Sequence, residues 1–178
     1  MTLRRLSRLF AEQRGAAVVE LALVAPILGV VTIGIVDMSN AYSRKLALEQ
    51  GAQRAIEKIA QTTESATVEA TLASEAVCQV NGVNADGTCK SSPITTSNVT
   101  VTWRLECTAS NGTMTSQAST SSATYDAFTC PVGTASQARY VQVAVTDKYR
   151  PLFPLHFSSY SREDSSYHIS ATAGARTS

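Results

Sequence analysis

The sequence predicts an α+β protein with a long N-terminal helix, membrane-spanning in its first half, a short second helix and a small antiparallel sheet. Three observations support this fold class. An apolar run lies near the N-terminus, helical spacing of apolar residues continues beyond it, and the second half of the chain alternates apolar and polar residues. With 178 residues there is room for one modest globular domain beside the helix, which excludes a large multidomain enzyme.

The apolar run occupies residues 16–36 and follows a basic leader at 1–15. Its length of about 21 residues, at roughly 1.5 Å per residue, matches a hydrocarbon core of about 30 Å. The run is too long for the apolar core of a cleaved secretory signal. Cytoplasmic flanks carry an excess of Lys and Arg, so we expect a cytoplasmic N-terminus and an extracytoplasmic chain from Asp37 onward. The leader's basic residues are Arg4, Arg5, Arg8 and Arg14.

Helical spacing continues through residues 37–62, where Tyr42, Leu46, Ile56 and Ile59 recur among Ala, Gln, Glu, Lys and Arg. One helix from 16 to 61 would be roughly 70 Å long, with only its first half in lipid. Residues 62–65 predict a break. A second helix, marked by apolar residues at helical spacing, is expected to end near Cys78.

Residues 63–178 are predicted to form an extracytoplasmic α+β domain. "NVTVTWRLE" and "YVQVAVTD" alternate strictly and predict two strands, and "SYHISATA" predicts a weaker third. The polar stretch between Cys107 and Cys130 is typical of a long loop or an irregular hairpin tip. One face of this antiparallel sheet must be buried, and the exposed half of the long helix is the expected partner.

All four cysteines follow the apolar run, which indicates an exported, oxidising compartment. Four cysteines allow three pairings. We favour Cys78 with Cys89 and Cys107 with Cys130, because short loop closures cost the least entropy.

Glu20 is a carboxylate inside the apolar run, five residues after Gly15. A charge in lipid costs up to a few kcal/mol and usually has a partner. If a peptidase cuts after Gly15, the new ammonium of Ala16 lies one helical turn from Glu20 and supplies that partner, within one chain or between neighbours. The alternative is a carboxylate that snorkels to the interface without a partner.

Residues 14–56, "RGAAVVELALVAPILGVVTIGIVDMSNAYSRKLALEQGAQRAI", resemble the membrane segment of TadE-like proteins. These are minor pilins or pseudopilins of the tight-adherence (Tad, type IVc) pilus system. The shared features are Arg-Gly before the cut, Glu20, Ala-Pro in the run, an acid after it and an Ala/Gln-rich helix. Leu21 departs from the family pattern, in which an aromatic residue commonly follows the glutamate.

The resemblance implies cleavage after Gly15 by a prepilin peptidase, with Ala16 as the mature N-terminus and Glu20 as an assembly charge. It implies as partners the peptidase, other pilin and minor pilin subunits, and an inner-membrane assembly platform. The implied location is the inner membrane, single pass, with a periplasmic C-terminal domain and incorporation in a surface pilus used for cell adhesion. No residue role is carried over beyond residue 61.

An enzyme, a cofactor and a metal site are not expected. His156 and His168 lie in no zinc-type cluster, the cysteines lack CxxC spacing, and the sequence has no GxSxG, P-loop or GxGxxG. The net charge of +1 gives no basic field for nucleic acid.

The Pro-aromatic segment "YRPLFPLHF", residues 149–157, is expected to pack a loop onto the sheet, or else to form a binding surface. The functional alternative to a pilin is an uncleaved, single-pass anchored binding or sensor domain.

Overall fold

The computed structural model of the chain describes residues 13–61, 66–153 and 160–177. The described residues form two compact units. One contains 13–41 and 151–153, and the other contains 42–61, 66–150 and 160–177. Residues 1–12 of the predicted leader, the predicted break at 62–65 and His156 lie outside the described residues.

The first element, α1, is one helix of 49 residues, Gln13–Gln61, as predicted. Its sequence is rich in Ala, Leu and other good helix formers, and Pro26 lies inside it without ending it. The side chains of its apolar run are exposed along nearly their whole length. Leu48, Ala52 and Ala55 are fully buried in the second unit.

The second helix, α2, is Ala66–Asn81 and extends three residues beyond the predicted end at Cys78. Gly82 follows with a φ of +77°, and its N–H donates to the Cys78 carbonyl at 2.8 Å, which closes the last turn. The buried Asn81 amide then organises the following loop. Its Nδ2 donates to the carbonyls of Lys90 and Ile94 at 2.8 and 2.7 Å, and its Oδ1 accepts from the Ile94 N–H at 3.1 Å.

Five antiparallel strands follow a 3₁₀ turn at Thr96–Asn98. They are β1 Val99–Ala109, β2 Met114–Ser119, β3 Thr134–Tyr149, β4 Tyr160–Ser161 and β5 Ser166–Arg176. The strands form one sheet in the order β2-β1-β3-β5-β4, and a short helix, α3, lies between β2 and β3 at Ser122–Asp126.

The apolar positions predicted from alternation line one face of the sheet. Trp103 of β1 pairs with Val141 of β3, and Val145 pairs with Ala171 of β5, so the three predicted strands bring their apolar residues together. These residues share one core with the second half of α1 and with Leu72 of α2. The predicted partnership of helix and sheet is therefore present.

Two strands were not predicted. β2 lies in the polar stretch between Cys107 and Cys130, and five of its six residues are exposed, so it carries no alternation. Residues 110–113 join β1 to β2 and include Asn111 and Gly112, with Gly112 at a φ of +83°. An Asn-Gly pair is a strong hairpin signal and marks this turn in the sequence. β4 has only two residues, too few for any pattern.

Candidate functional site

The predicted cleavage position lies on α1. Gly15 and Ala16 are helical residues in the first part of the chain that the structure describes. Cleavage between them stays a prediction.

Glu20 lies four residues after Ala16 on the same helix, about 6 Å further along the axis. Its side chain is exposed, and within the described part of the chain it makes no hydrogen bond or ion pair. The helix thus brings Gly15, Ala16 and Glu20 together within two turns. This arrangement leaves the carboxylate available to a group on another molecule.

The segment around this site could cross a membrane. Among the described residues, α1 is the one helix long and apolar enough to do so, and its most apolar stretch has no buried residue. Exposed large side chains follow each other through the stretch: Val18, Val19, Leu21, Leu23, Val24, Ile27, Leu28, Val30, Val31, Ile35 and Val36. A continuous apolar surface of this kind requires a non-aqueous surrounding or partner helices.

Asp37 ends the apolar run and is only 8% exposed, in contrast to its neighbours on α1. Its two carboxylate oxygens accept from the backbone N–H groups of Leu152 and Phe153, at 2.9 and 3.0 Å. The sequence predicted that this Pro-aromatic segment packs a loop onto the sheet. In the described part of the segment, Leu152 and Phe153 instead donate backbone hydrogen bonds to Asp37 of α1, and their side chains are exposed.

Ion pairs join α1 to the rest of the second unit. Arg44 Nε donates to Asp147 of β3 at 2.6 Å, and both side chains are largely covered. Further along α1, Lys58 Nζ lies 2.8 Å from a carboxylate oxygen of Glu75 on α2, and Arg54 lies 3.7 Å from the other oxygen. Sequence reasoning missed the Arg44 pair, because its partner is 103 residues away along the chain.

The structure places the four cysteines in the pairs that loop closure favoured. The Cα atoms of Cys78 and Cys89 are 4.8 Å apart, and those of Cys107 and Cys130 are 5.6 Å apart. Both separations lie in the range that disulfides require. The first pair closes the loop after α2. The second pair joins Cys107, near the end of β1, to Cys130 in the segment before β3. Oxidation of these pairs in the cell stays a prediction.

No group of three or more His, Cys, Asp or Glu side chains suited to a metal ion occurs within residues 13–61, 66–153 and 160–177. His168 instead contacts Asp164, with Nε2 to Oδ2 at 2.8 Å.

The fold and the helix define a class of protein: an α+β chain whose exposed N-terminal helix could span a membrane and carries an acid near its start. Residues 15–56 match the family model described as TadE-like protein. The predicted resemblance is confirmed over this segment, which lies wholly within α1 and is less than half of the chain. The match is consistent with a TadE-like protein of Tad pilus systems.

Neither the curated proteins nor the solved structures gave a match to this chain.

Proposed function

We propose that the chain is a minor pilin or pseudopilin that a prepilin peptidase cleaves after Gly15 and that acts in the assembly of a Tad-type pilus. The observation that carries this proposal is the position of the family match. It begins at Gly15, includes Glu20 and follows α1 to residue 56. The matched family is structural rather than enzymatic, and it implies contacts with other pilus components.

The proposed topology follows from the leader and the apolar run. Residues 1–15 form the cytoplasmic leader, 16–36 cross the inner membrane once, and 37–62 continue the helix on the periplasmic side. Residues 63–178 form the periplasmic domain. The proposed partners are the prepilin peptidase, other pilin and minor pilin subunits, and the inner-membrane assembly platform.

Glu20 is the proposed assembly charge. Cleavage after Gly15 creates an ammonium at Ala16, and Glu20 is exposed one turn away on the same helix. Two such helices side by side can pair the ammonium of one with the carboxylate of the other. Each group neutralises a charge that is costly in lipid, so the pairing favours association of subunits in the membrane.

Cleavage is tested by Gly15→Leu, which places a bulky side chain beside the proposed scissile bond. We expect the variant to keep its leader, whereas mass spectrometry of the wild-type chain from piliated cells should show an N-terminus at Ala16. Gly29→Leu is the matched control, because no atom lies within 4 Å of a Cβ at Gly29. An intact residue 1–15 segment in the mature wild-type protein would contradict the proposal and favour the uncleaved anchor.

The assembly charge is tested by Glu20→Gln in a strain that lacks the wild-type gene. We expect leader cleavage and membrane insertion to be retained, because the helix becomes more apolar, and surface pili to fall to the level of the deletion strain. Glu57→Gln is the control, since Glu57 is an exposed acid on the same helix beyond the apolar run. Normal piliation with correctly cleaved Glu20→Gln protein would contradict the assembly role. Glu20 would then be a carboxylate that reaches the membrane interface without a partner.

A further inference from the structure

Leu152 and Phe153 are two large apolar residues outside the hydrophobic core. Their side chains are 67% and 41% exposed, and both belong to the compact unit that contains residues 13–41 of α1. Exposed apolar side chains that occur singly need no explanation, but two adjacent ones beside a membrane-capable helix do.

Asp37 fixes the position of this pair on the helix. Its carboxylate accepts both backbone N–H groups, from Leu152 at 2.9 Å and from Phe153 at 3.0 Å. Two hydrogen bonds to one carboxylate restrain both the distance and the orientation of the segment. Leu152 and Phe153 are therefore held at the level of Asp37, the first residue after the apolar run.

That level coincides with a membrane surface if α1 spans the bilayer. The run at 16–36 is about as long as the hydrocarbon core is thick, so Asp37 would lie at the headgroups. Backbone N–H groups without acceptors are costly near hydrocarbon. Asp37 supplies acceptors for both N–H groups of the pair, so their side chains can enter the acyl region without exposing those donors to it.

We propose that Leu152 and Phe153 form a second membrane contact, in which their side chains insert at the boundary of headgroups and acyl chains on the non-cytoplasmic side and Asp37 holds them there. The partner is the lipid of the bilayer that α1 spans. The proposal rests on the proposed membrane insertion of α1, and it is independent of leader cleavage and pilus assembly.

Fluorescence quenching in vesicles tests this contact. The full chain, in a Trp103→Phe background, is reconstituted into phosphatidylcholine and phosphatidylglycerol vesicles whose acyl chains carry bromine at a chosen depth. Trp103 is buried, and its Nε1 has no acceptor among the described residues, so Phe is a mild replacement. Single tryptophans are introduced by Phe153→Trp, by Ile27→Trp in the middle of the run and by Val132→Trp at a fully exposed loop position of the other unit.

We expect the Phe153→Trp indole to be quenched most by bromines near the headgroups and the Ile27→Trp indole most by bromines near the chain ends. The Val132→Trp indole should not be quenched by either lipid. Quenching at Ile27→Trp without quenching at Phe153→Trp would overturn the second contact while leaving membrane insertion of α1 intact. If Ile27→Trp is also unquenched, α1 is not in the bilayer, and both the contact and the topology fail.

Asp37→Asn tests the role of the carboxylate. An amide oxygen accepts without the charge, and the amide nitrogen cannot accept at all, so the restraint on the segment weakens. We expect bromine quenching of the Phe153→Trp indole to fall and that of the Ile27→Trp indole to stay unchanged. Unchanged quenching at both positions would overturn the role of Asp37 in holding the segment.

A third outcome concerns a protein partner in place of lipid. If neither aqueous acrylamide nor brominated lipid quenches the Phe153→Trp indole, that indole is covered by protein, such as a second copy of the chain. This result would overturn the lipid contact.

Discussion

At the scale of single residues, Asp164 in the turn between β4 and β5 accepts hydrogen bonds from three side chains. Its Oδ2 accepts from Lys148 at 2.7 Å and from His168 at 2.8 Å, and its Oδ1 accepts from the buried Ser166 hydroxyl at 2.8 Å. The Lys148 ammonium, followed by His168 and Ser166, holds the pKa of Asp164 far below its ordinary value of 3.8. The ionised form is thus tied to the folded turn between β4 and β5.

This linkage predicts how stability depends on pH. A carboxylate whose pKa is lower in the folded state stabilises the fold above its unfolded pKa, and the contribution is lost as pH falls through the folded pKa. We expect Asp164→Asn to lower the melting temperature at neutral pH and the difference from wild type to shrink below pH 3.8. Thermal unfolding of the full chain in detergent, at neutral pH and below pH 3.8, measures the melting temperatures of the wild type and of Asp164→Asn. Asp126→Asn, at an exposed acid, is the control, and a difference that is constant with pH would contradict the assignment.

The sequence contained only part of this residue-level information. Glu20, Gly15 and the four cysteines could be selected because each departs from the composition around it. Asp37 could be seen as an acid at the end of the run, but its partners lie 115 and 116 residues away along the chain. Contacts over such separations depend on the fold of everything between them, and no local pattern carries them.

At the scale of elements, the contact between α1 and α2 depends on small residues. Ala52 and Ala55 of α1 and Ala76 of α2 are fully buried, and Gly51 of α1 faces α2 directly. A Cβ at Gly51 would lie 2.5 Å from Val80 Cγ2 and 3.0 Å from the Ala76 carbonyl oxygen. The absence of a side chain at Gly51 therefore allows the two helices to approach this closely.

Gly51→Ala should consequently destabilise the second unit, by about 1–3 kcal/mol, because the added methyl group overpacks the helix contact. Ala normally favours a helix over Gly by about 1 kcal/mol, so a net loss would show that packing outweighs propensity. Denaturant unfolding of the full chain provides the measurement. Gly29→Ala, where a Cβ meets no atom within 4 Å, should not destabilise, and adding Val80→Ala to Gly51→Ala should recover part of the loss.

Elements with a periodic apolar pattern could be predicted from the sequence, and elements without one could not. The second half of the long helix, the short second helix and β1, β3 and β5 bury one face each, and this burial requires the apolar spacing that revealed them. The first half of the helix was predicted from its continuous apolar run. β2 is an exposed edge strand that forms by pairing with β1, so its register comes from the Asn111–Gly112 turn rather than from burial. β4 depends in the same way on its pairing with β5.

At the scale of the whole molecule, the cysteine pairs are predicted to be oxidised in the mature protein. Peptide mapping without reductant should recover Cys78 linked to Cys89 and Cys107 linked to Cys130. Each disulfide should contribute about 2–4 kcal/mol, mainly by restricting the unfolded chain. Denaturant unfolding of Cys78→Ala/Cys89→Ala and of Cys107→Ala/Cys130→Ala separates the two contributions. Free thiols in protein purified without reductant would contradict the prediction.

The contacts of α1 also determine how the protein would respond to tension. Force applied along α1 from its apolar half would reach the second unit first at the Arg44–Asp147 pair and then at Leu48, Ala52, Ala55 and Ile59, spaced by about one helical turn. Because a helix is stiff along its axis, these contacts would share a pull in that direction and resist it together. With both cysteine pairs bonded, the loops that they close could not extend, so little slack would be released if these contacts opened. In the proposed pilus, a subunit with this arrangement would therefore resist tension along α1 rather than lengthen under it.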